Sequence, residues 1–201
     1  MQTEDFLARL SSSEPVPGGG GVSALVAALS AALCSMVGNL TSGKKKYAEY
    51  QKDIERLIAG ACIRRDSLYS YIEKDAKAFE PLSKAYSIPK DRPDRDEILE
   101  KALVDAAKTP LELMEEIAQL PPMLEELSVK GSTLALSDVG VAATLAGAAI
   151  EGAVMNVYIN TKMMKDREVA DKMNARADRL LDDTVDACRR VYQSVLLKMK
   201  A

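Results

Sequence analysis

The chain has 201 residues, of which 47% are hydrophobic and 28% are charged, a composition typical of one globular domain with a sizeable core. It contains no histidine, which excludes the commonest zinc ligand and every Ser-His or Cys-His catalytic pair. The formal net charge of −3 argues against a general affinity for nucleic acid or for an anionic membrane surface. Any catalysis must therefore use Asp, Glu, Lys, Tyr, Ser, Asn or backbone dipoles.

The hydrophobic pattern predicts helices and little else, because no window alternates with period two for long enough to form a strand. Pro and Gly residues divide the chain into seven helical segments: 3–12, about 22–40, about 47–88, 94–119, about 123–130, 138–165 and 168–200. Gly18 to Gly21 is predicted to be the most flexible stretch, and Pro81 and Pro110 are candidate kinks. We expect one all-α domain that spans residues 1–201.

Two apolar runs, Val22 to Val37 and Val139 to Val157, consist largely of Ala, Gly, Ser and Val. The first is short for a membrane span, and the second carries Glu151 in its middle. We therefore predict that they are the two central, closely packed helices of a bundle. Small residues on both runs are expected to allow close approach and to bury part of their surface between subunits: Ala28, Ala32, Ala142, Ala146 and Ala149.

The cysteines and one glycine-rich segment bear on the cofactor and the compartment. Cys34, Cys62 and Cys188 are far apart and odd in number, so they imply neither a disulfide framework nor a metal cluster. We expect a reducing, cytoplasmic location and no bound metal.

The segment 38–45 approaches the Walker A pattern, but Lys45 stands where that motif requires Ser or Thr. No nucleotide site is predicted.

Polar residues occur at positions where a core helix would not select them. Asn156 and Asn160 are four residues apart on an Ala-rich helix, so both need hydrogen-bond partners or a ligand. From the residues alone, an interhelical hydrogen-bonded pair is the favoured reading. Asp75 and Phe79 have the same spacing, and they fit equally well as surface and core neighbours or as one wall of a pocket.

Two further features have a structural and a functional reading. Either Ser137 or Asp138 is expected to cap the second Ala-rich helix, and for Asp138 that reading is favoured when the residue is considered alone. The run Lys44 to Lys46 beside Tyr47 is usually a solvated turn, but it could also bind an anionic substrate.

Four segments together resemble a known family: PVPGGGGVSALVAAL, NLTSGKKKY, DAKAF with IPK downstream, and SDVGVAATLAGAAIEGAVMNVYIN. They are similar to the cyclodeaminase/cyclohydrolase family. This family includes the C-terminal domain of formiminotransferase-cyclodeaminase and stand-alone bacterial methenyltetrahydrofolate cyclohydrolases. The resemblance covers nearly the whole chain. One departure is Gly131-Ser132-Thr133-Leu134, where the family usually has GNxN, so this loop lacks two amides of the family pattern.

The resemblance implies an all-helical protomer that forms a homodimer and binds a tetrahydrofolate derivative, without nucleic acid, membrane, metal or redox cofactor. Two reactions are implied. A cyclohydrolase adds water to the 5,10-methenyl carbon and yields 10-formyltetrahydrofolate, whereas a cyclodeaminase closes the ring of 5-formiminotetrahydrofolate and releases ammonia. Cyclohydrolase is the leading expectation, because no formiminotransferase domain is attached. A folate-binding or interaction dimer without turnover is the alternative of another class, supported only by the altered loop.

The resemblance also implies roles for particular residues. Asp138 or Asp75 would be the general acid/base, and the other would bind the amino-pyrimidine edge of the pterin. Lys44 and Lys45 would meet the glutamate tail, or one would place a positive charge near the reacting carbon. Asn156 and Asn160 would orient water or pterin. The expected catalytic set is Asp138, Asp75 and Lys44, and the expected binding set is Gly18, Gly19, Gly20, Lys45, Tyr47, Phe79, Asn156 and Asn160.

Overall fold

The computed structural model describes residues 2–201, and in that range the chain forms seven α-helices and two 3₁₀ turns, with no strand. The helices are α1 Thr3–Leu10, α2 Gly19–Thr41, α3 Gln51–Tyr86, α4 Arg95–Ile117, α5 Leu120–Lys130, α6 Leu136–Thr161 and α7 Arg167–Lys200. The turns are Lys45–Tyr50, before α3, and Thr133–Ala135, before α6. The prediction of an all-α protein is confirmed.

The two apolar runs form α2 and α6, which pack against each other at the centre of the bundle. The two helices are antiparallel. Near the start of α2, Ser23 lies beside Gly152, and further along the hydroxyl of Ser30 donates a hydrogen bond of 2.8 Å to the carbonyl of Ala142. A Cβ at Gly152 would lie 2.6 Å from the Ser23 hydroxyl, so the helices approach as closely as a glycine permits. Both are long and apolar enough to cross a membrane, as core helices of bundles also are.

The remaining long helices cover this pair. Helix α3 packs along α2, α7 packs along α6, and α4 contacts both α3 and α6. The main core lies between these elements and contains Leu57, Leu68, Met114 and Ile150. A smaller core, built around Leu82, Leu103, Met164 and Ala170, joins the end of α3 to α4 and the start of α7. This smaller core supports the end of the bundle where α2 begins and α6 ends.

Two local predictions are wrong. The run expected to be most flexible instead begins α2 at Gly19, since the carbonyl of Gly18 already accepts the N–H of Val22. Neither Ser137 nor Asp138 caps α6, because the turn Thr133–Ala135 continues directly into the helix and Ala135 occupies the cap position. Helix α3 continues through Pro81 to Tyr86, close to the end predicted before Pro89.

Four of the five small residues expected to allow close approach are buried within the protomer itself, and Ala32 is half-buried. Ala28, Ala142, Ala146 and Ala149 are at most 5% exposed within this one chain. Large apolar residues are left exposed instead: Leu29, Met36 and Leu40 on α2, and Val141, Met155 and Ile159 on α6. The contacts Ser23–Gly152 and Ser30–Ala142 mark the side of each helix that faces the other one. Relative to those positions, helical geometry places the exposed residues of α2 and of α6 on the same side of the pair. We call this surface the α2–α6 face.

Candidate active site

A pocket of about 430 Å³ opens at the end of the bundle where α2 begins and α6 ends. Four parts of the fold converge on it: the chain that leads into α2, the C-terminal half of α3, the middle of α4 and the last turns of α6. Seven of the eleven residues expected from the sequence line it: Gly18, Gly19, Gly20, Asp75, Phe79, Asn156 and Asn160. Residues more than 130 positions apart in sequence are thus brought together, because α2 and α6 are antiparallel.

Asp75 is the one carboxylate that lines this pocket in the described part of the chain. It lies over the N-terminus of α2, where the backbone N–H of Gly21 donates a hydrogen bond to it. Burial raises the pKa of the Asp75 carboxyl above its usual range, and this effect exceeds the opposing effect of the Gly21 bond. Asp75 therefore keeps its proton to higher pH than an exposed aspartate does, as general acid/base catalysts often do.

Gly20 is required by Asp75 and not by a ligand. A Cβ at position 20 would lie within 2.7 Å of both carboxylate oxygens of Asp75, whereas a Cβ at Gly18 would meet only the carbonyl of Pro15, at 3.7 Å. Gly19 is intermediate, since its Cβ would contact the amide of Asn156 at 3.4 Å. All three glycines line the pocket, as expected. At position 20 the absence of a Cβ allows the Asp75 carboxylate to lie against the backbone.

The side chains of Asn156 and Asn160 do not form a hydrogen-bonded pair with each other, and both residues lie on α6. Asn156 Nδ2 donates to the carbonyl of Gly152 at 2.9 Å, and Asn160 Nδ2 donates to the carbonyl of Asn156 at 2.8 Å. Both bonds lie within α6, while Asn160 Nδ2 also approaches the carbonyl of Ala106 on α4 at 3.5 Å. Because a carbonyl can only accept, it is the amide nitrogens that face the backbone, although Asn156 Nδ2 keeps a second N–H. Each Oδ1 is an acceptor without a bond among residues 2–201. Both acceptors are available to a ligand.

The walls of the pocket are mostly apolar. Phe79 and Leu82 come from α3, Pro110 from α4, and Ile159 and Met163 from the end of α6 and the residues after it. No Lys or Arg lies among the lining residues in the range that the structure describes. One carboxylate and two amide oxygens within such walls favour a flat ligand that is neutral or cationic and carries N–H donors.

The other four expected residues lie at the opposite end of the α2–α6 pair. Lys44, Lys45 and Tyr47 follow the end of α2, beside Ser132 and Thr133, which precede α6. We call this region the lysine end. Lys44 Nζ donates to the Ser132 hydroxyl at 3.3 Å, and the N–H of Thr133 donates to the Tyr47 hydroxyl at 3.0 Å. The altered loop of the sequence is therefore fastened to the lysine run.

Tyr47 is only 9% exposed, and its surroundings stabilise the phenolate. Hydrogen bonds from Thr133, first its side chain and then its backbone, lower the pKa of Tyr47 to about 8, and the charge of Lys46 acts in the same direction. The Lys46 ammonium lies 5.4 Å from the centre of the tyrosine ring. Such a cluster of exposed lysines and a hydrogen-bonded phenol suits an anionic group.

Within one chain, Asp138 does not share a site with Asp75, which the sequence analysis placed at the same substrate. It is the third residue of α6, 18 residues before Asn156, and at 1.5 Å per residue the two are about 27 Å apart. Lys44, Lys45 and Tyr47 are at the same distant end. Equal spacing on a helix indicates a shared face, but it says nothing about which end of a long helix pair forms the pocket.

Sequence reasoning did not identify several residues of the site. Leu82, Pro110 and Ile159 are apolar residues in helices, Met163 is an apolar residue just after α6, and nothing local distinguishes them from core residues. Pro15 and Val16 also line the pocket. They belong to the segment PVPGGGG, which carries part of the family resemblance, but the sequence analysis did not predict that they form a wall of the site.

Known proteins resemble the chain over nearly its whole length. A model of the family described as Formiminotransferase-cyclodeaminase matches residues 2–179. The methenyltetrahydrofolate cyclohydrolase of Methylorubrum extorquens is 36% identical over 200 residues, which are 98% of this chain and 96% of that protein. The formimidoyltransferase-cyclodeaminase of Mus musculus is 37% identical over 182 residues, and the matched part is 34% of its length. The crystal structure of formiminotetrahydrofolate cyclodeaminase from Thermotoga maritima superposes with a TM-score of 0.91 at 28% identity, over 99% of this chain and 98% of that one.

Proposed function

The chain belongs to the formiminotransferase-cyclodeaminase family, and on that basis we propose that it hydrolyses 5,10-methenyltetrahydrofolate to 10-formyltetrahydrofolate. The observation that carries this proposal is the pocket in which a half-buried carboxylate, Asp75, faces two free amide oxygens between apolar walls. The relative from Methylorubrum, which this chain matches over 96% of its length, bears the name of that activity.

The chemistry of the substrate matches the pocket. The reduced pterin is flat, and the edge of its amino-pyrimidine ring carries N–H donors, which the Oδ1 atoms of Asn156 and Asn160 accept. Phe79 and the apolar walls contact the ring faces. The 5,10-methenyl bridge is cationic, and a pocket that residues 2–201 line with a carboxylate and no cation favours it over a neutral folate.

In the proposed reaction Asp75 is the general base. Water attacks the cationic methenyl carbon, a C–O bond forms, and the proton of the water passes to the Asp75 carboxylate. Asp75 then returns this proton to N5 as the bond between the bridge carbon and N5 breaks, which leaves the formyl group on N10. The second proton leaves from the hydroxyl of the tetrahedral intermediate to solvent. Overall, one water is consumed and one proton is released.

Cyclodeamination of 5-formiminotetrahydrofolate is the second candidate, and one observation favours it. Expulsion of ammonia needs a group that protonates a poor leaving group, and the raised pKa of Asp75 makes this carboxyl a better acid than an ordinary aspartate. No lysine lines the pocket in residues 2–201 to lower that pKa. The crystal structure that superposes on this chain is that of a cyclodeaminase.

We propose further that the chain acts as a homodimer through the α2–α6 face. Six large apolar residues exposed along two adjacent helices form a patch larger than isolated surface residues would. A two-fold axis in the plane of this face, perpendicular to the helices, would bring the lysine end of one copy to the pocket of the other. Lys44 and Lys45 of one copy would then meet the glutamate tail of a folate bound by its partner, which supplies the cations that the pocket lacks.

The test is a turnover assay of the purified protein on both folates. We expect loss of methenyl absorbance in the presence of EDTA and without nucleotide, at a higher rate than ammonia release from the formimino substrate. Turnover of the formimino substrate alone would show the cyclodeaminase, and turnover of neither would contradict an enzymatic role. Loss of activity on chelation, restored by a divalent metal, would contradict the proposed absence of a cofactor.

A further inference from the structure

One wall of the pocket is formed by a short strap rather than by a helix. The strap, residues 14–18, joins α1 to α2, and Pro15, Val16 and Gly18 within it line the pocket. An extended segment of this kind has no helical hydrogen bonds of its own to hold it in place. Its backbone is held from the side by Arg9 of α1, whose Nη2 donates to the carbonyl of Val16 at 3.2 Å.

Arg9 also holds the turn that leads into the strap. Arg9 Nε donates to Glu14 Oε2 at 2.9 Å, and the carbonyl of Arg9 accepts the hydroxyl of Ser12 at 2.7 Å. The Ser12 hydroxyl in turn accepts the N–H of Glu14 at 3.1 Å. Helix α1, to which Arg9 belongs, is itself anchored by Phe6, which is 4% exposed. The planar guanidinium therefore links an anchored helix, a turn and the strap.

Val16 separates two cavities. On the side away from the folate pocket lies a second cavity of about 490 Å³, lined by Val16 and Pro17 of the strap, by Arg9, and by Tyr69 and Glu73 of α3. The strap is buried at Pro17, which lies against the start of α2, whereas Val16 before it forms a partition between two open spaces along α3. Because Val16 has room on both sides, its position depends on what holds its backbone, and that position sets the width of the folate pocket.

We propose that Arg9 is a positioning residue, which holds the strap against the bundle and thereby fixes the width of the substrate pocket. This inference rests on the proposed function for its effect on turnover, but not for its effect on the strap. Arg9 does not line the folate pocket, and Asp75 is held by α3 and the start of α2. Loss of Arg9 should weaken substrate binding while the chemical step proceeds at its normal rate.

The global stability should change little when Arg9 is replaced. The side chains of Arg9 and Glu14 are 45% and 52% exposed, and exposed ion pairs contribute little to the free energy of unfolding. This separates a positioning role from a merely structural one. A matched control exists in Arg92, which forms an exposed ion pair with Asp94 through Nε at 2.6 Å and Nη2 at 2.9 Å, outside both cavities.

The experiment compares Arg9→Gln, Arg9→Lys and Arg92→Gln in the full chain. We expect Arg9→Gln to raise KM about tenfold with kcat within about twofold of the parent, as for a displaced binding wall. Arg9→Lys should not restore KM, since one ammonium cannot reach both acceptors in the directions that the guanidinium fork serves. Arg92→Gln should leave both constants unchanged.

Amide hydrogen exchange in the ligand-free protein provides a readout that needs no turnover. Exchange in the peptide that covers residues 11–18 should rise in both Arg9 variants and remain unchanged in Arg92→Gln. Unchanged exchange and unchanged KM in Arg9→Gln would overturn the inference, as would an equal fall in kcat. If the parent protein turned over neither folate, the proposed function would fail, and the exchange measurement would still decide the role of Arg9.

Discussion

At the pocket end of the α2–α6 pair a half-buried carboxylate and two amides lie among apolar walls, whereas at the lysine end exposed ammonium groups surround a hydrogen-bonded phenol. The pKa shifts of Asp75 and Tyr47 have opposite effects on the charged form of each side chain. Burial disfavours the charged form of Asp75, while hydrogen bonds and Lys46 favour the charged form of Tyr47. The two ends therefore suit different tasks, proton transfer at a partly buried carboxylate and attraction of an anion at a solvated lysine cluster.

The largest expected effect is that of Asp75→Asn. Asparagine fits the same space but cannot exchange a proton, so kcat/KM should fall by roughly 10²–10⁴-fold, the usual scale for general acid–base catalysis. Steady-state kinetics measures this, with circular dichroism as the control for the fold. A rate within threefold of the parent would remove Asp75 from the mechanism and with it the contrast between the two ends.

The pH dependence of the same variant has a definite sign. The folded-state pKa of Asp75 lies above the unfolded value, so its favourable contribution to stability is present below the unfolded pKa and is lost as pH rises through the folded pKa. Asp75→Asn should therefore gain stability relative to the parent as the pH rises above the usual aspartate pKa, and should be at least as stable as the parent at pH 7. Urea unfolding at several pH values measures this, and a loss of stability at pH 7 would contradict it.

Gly20→Ala should have the next largest effect. The new Cβ would collide with the Asp75 carboxylate, so either the carboxylate or the start of α2 must move. We expect a destabilisation of roughly 1–3 kcal/mol, as for other overpacked sites, together with a clear loss of kcat. Gly18→Ala is the matched control, because its Cβ meets one carbonyl at 3.7 Å. Equal effects of the two variants would show that Gly20 does not position Asp75.

The lysine end should affect binding and not the chemical step. The double variant Lys44→Ala with Lys45→Ala should raise KM for a folate that carries several glutamates about tenfold, with kcat nearly unchanged, and the difference should shrink as salt is added. Assays at low and high ionic strength measure this. An unchanged KM at low salt would leave the lysine run as a solvated turn.

Coexpression of two inactive or weakened chains tests whether the two ends meet across a dimer. If Asp75 and the lysines of one site come from different copies, chains with Asp75→Asn and chains with the double lysine variant should together form mixed dimers with one intact site. Random pairing then yields about a quarter of the parent's sites in intact form. No gain over the separate variants, or a monomer in sedimentation experiments, would contradict the antiparallel pairing.

Asp138→Asn should have the smallest effect, with kcat/KM within about twofold of the parent. Asp138 lies in the first turn of α6, where its charge interacts favourably with the helix dipole, and that interaction is a modest one. A fall of a hundredfold would show that this carboxylate takes part in the reaction from across the dimer, and the assignment of acid/base chemistry to the pocket end alone would be wrong.

The sequence by itself determined the helices and the pairs of residues that share a helix face. Apolar spacing and the Pro and Gly breaks predicted the seven helices, and four-residue spacing predicted that Asp75 lies with Phe79 and Asn156 with Asn160. These predictions succeed because hydrogen bonding and side-chain direction within a helix depend on neighbours a few residues away. Leu82, Pro110 and Val16 were missed for the same reason. Apolar residues that line a pocket and apolar residues that fill a core have the same local sequence pattern.

Which of these pairs form one site depends on how the helices pack. The packing of α3 on α2 places Gly20 against Asp75, and the antiparallel packing of α2 and α6 brings the asparagines to the same end and leaves Asp138 and Lys44 at the other, with Asp138 about 27 Å from Asn156. Packing also makes Val16 a wall of the pocket. Contacts of this kind join residues about 50 to 140 positions apart. They depend on how whole helices pack, and no local pattern in the sequence predicts that packing.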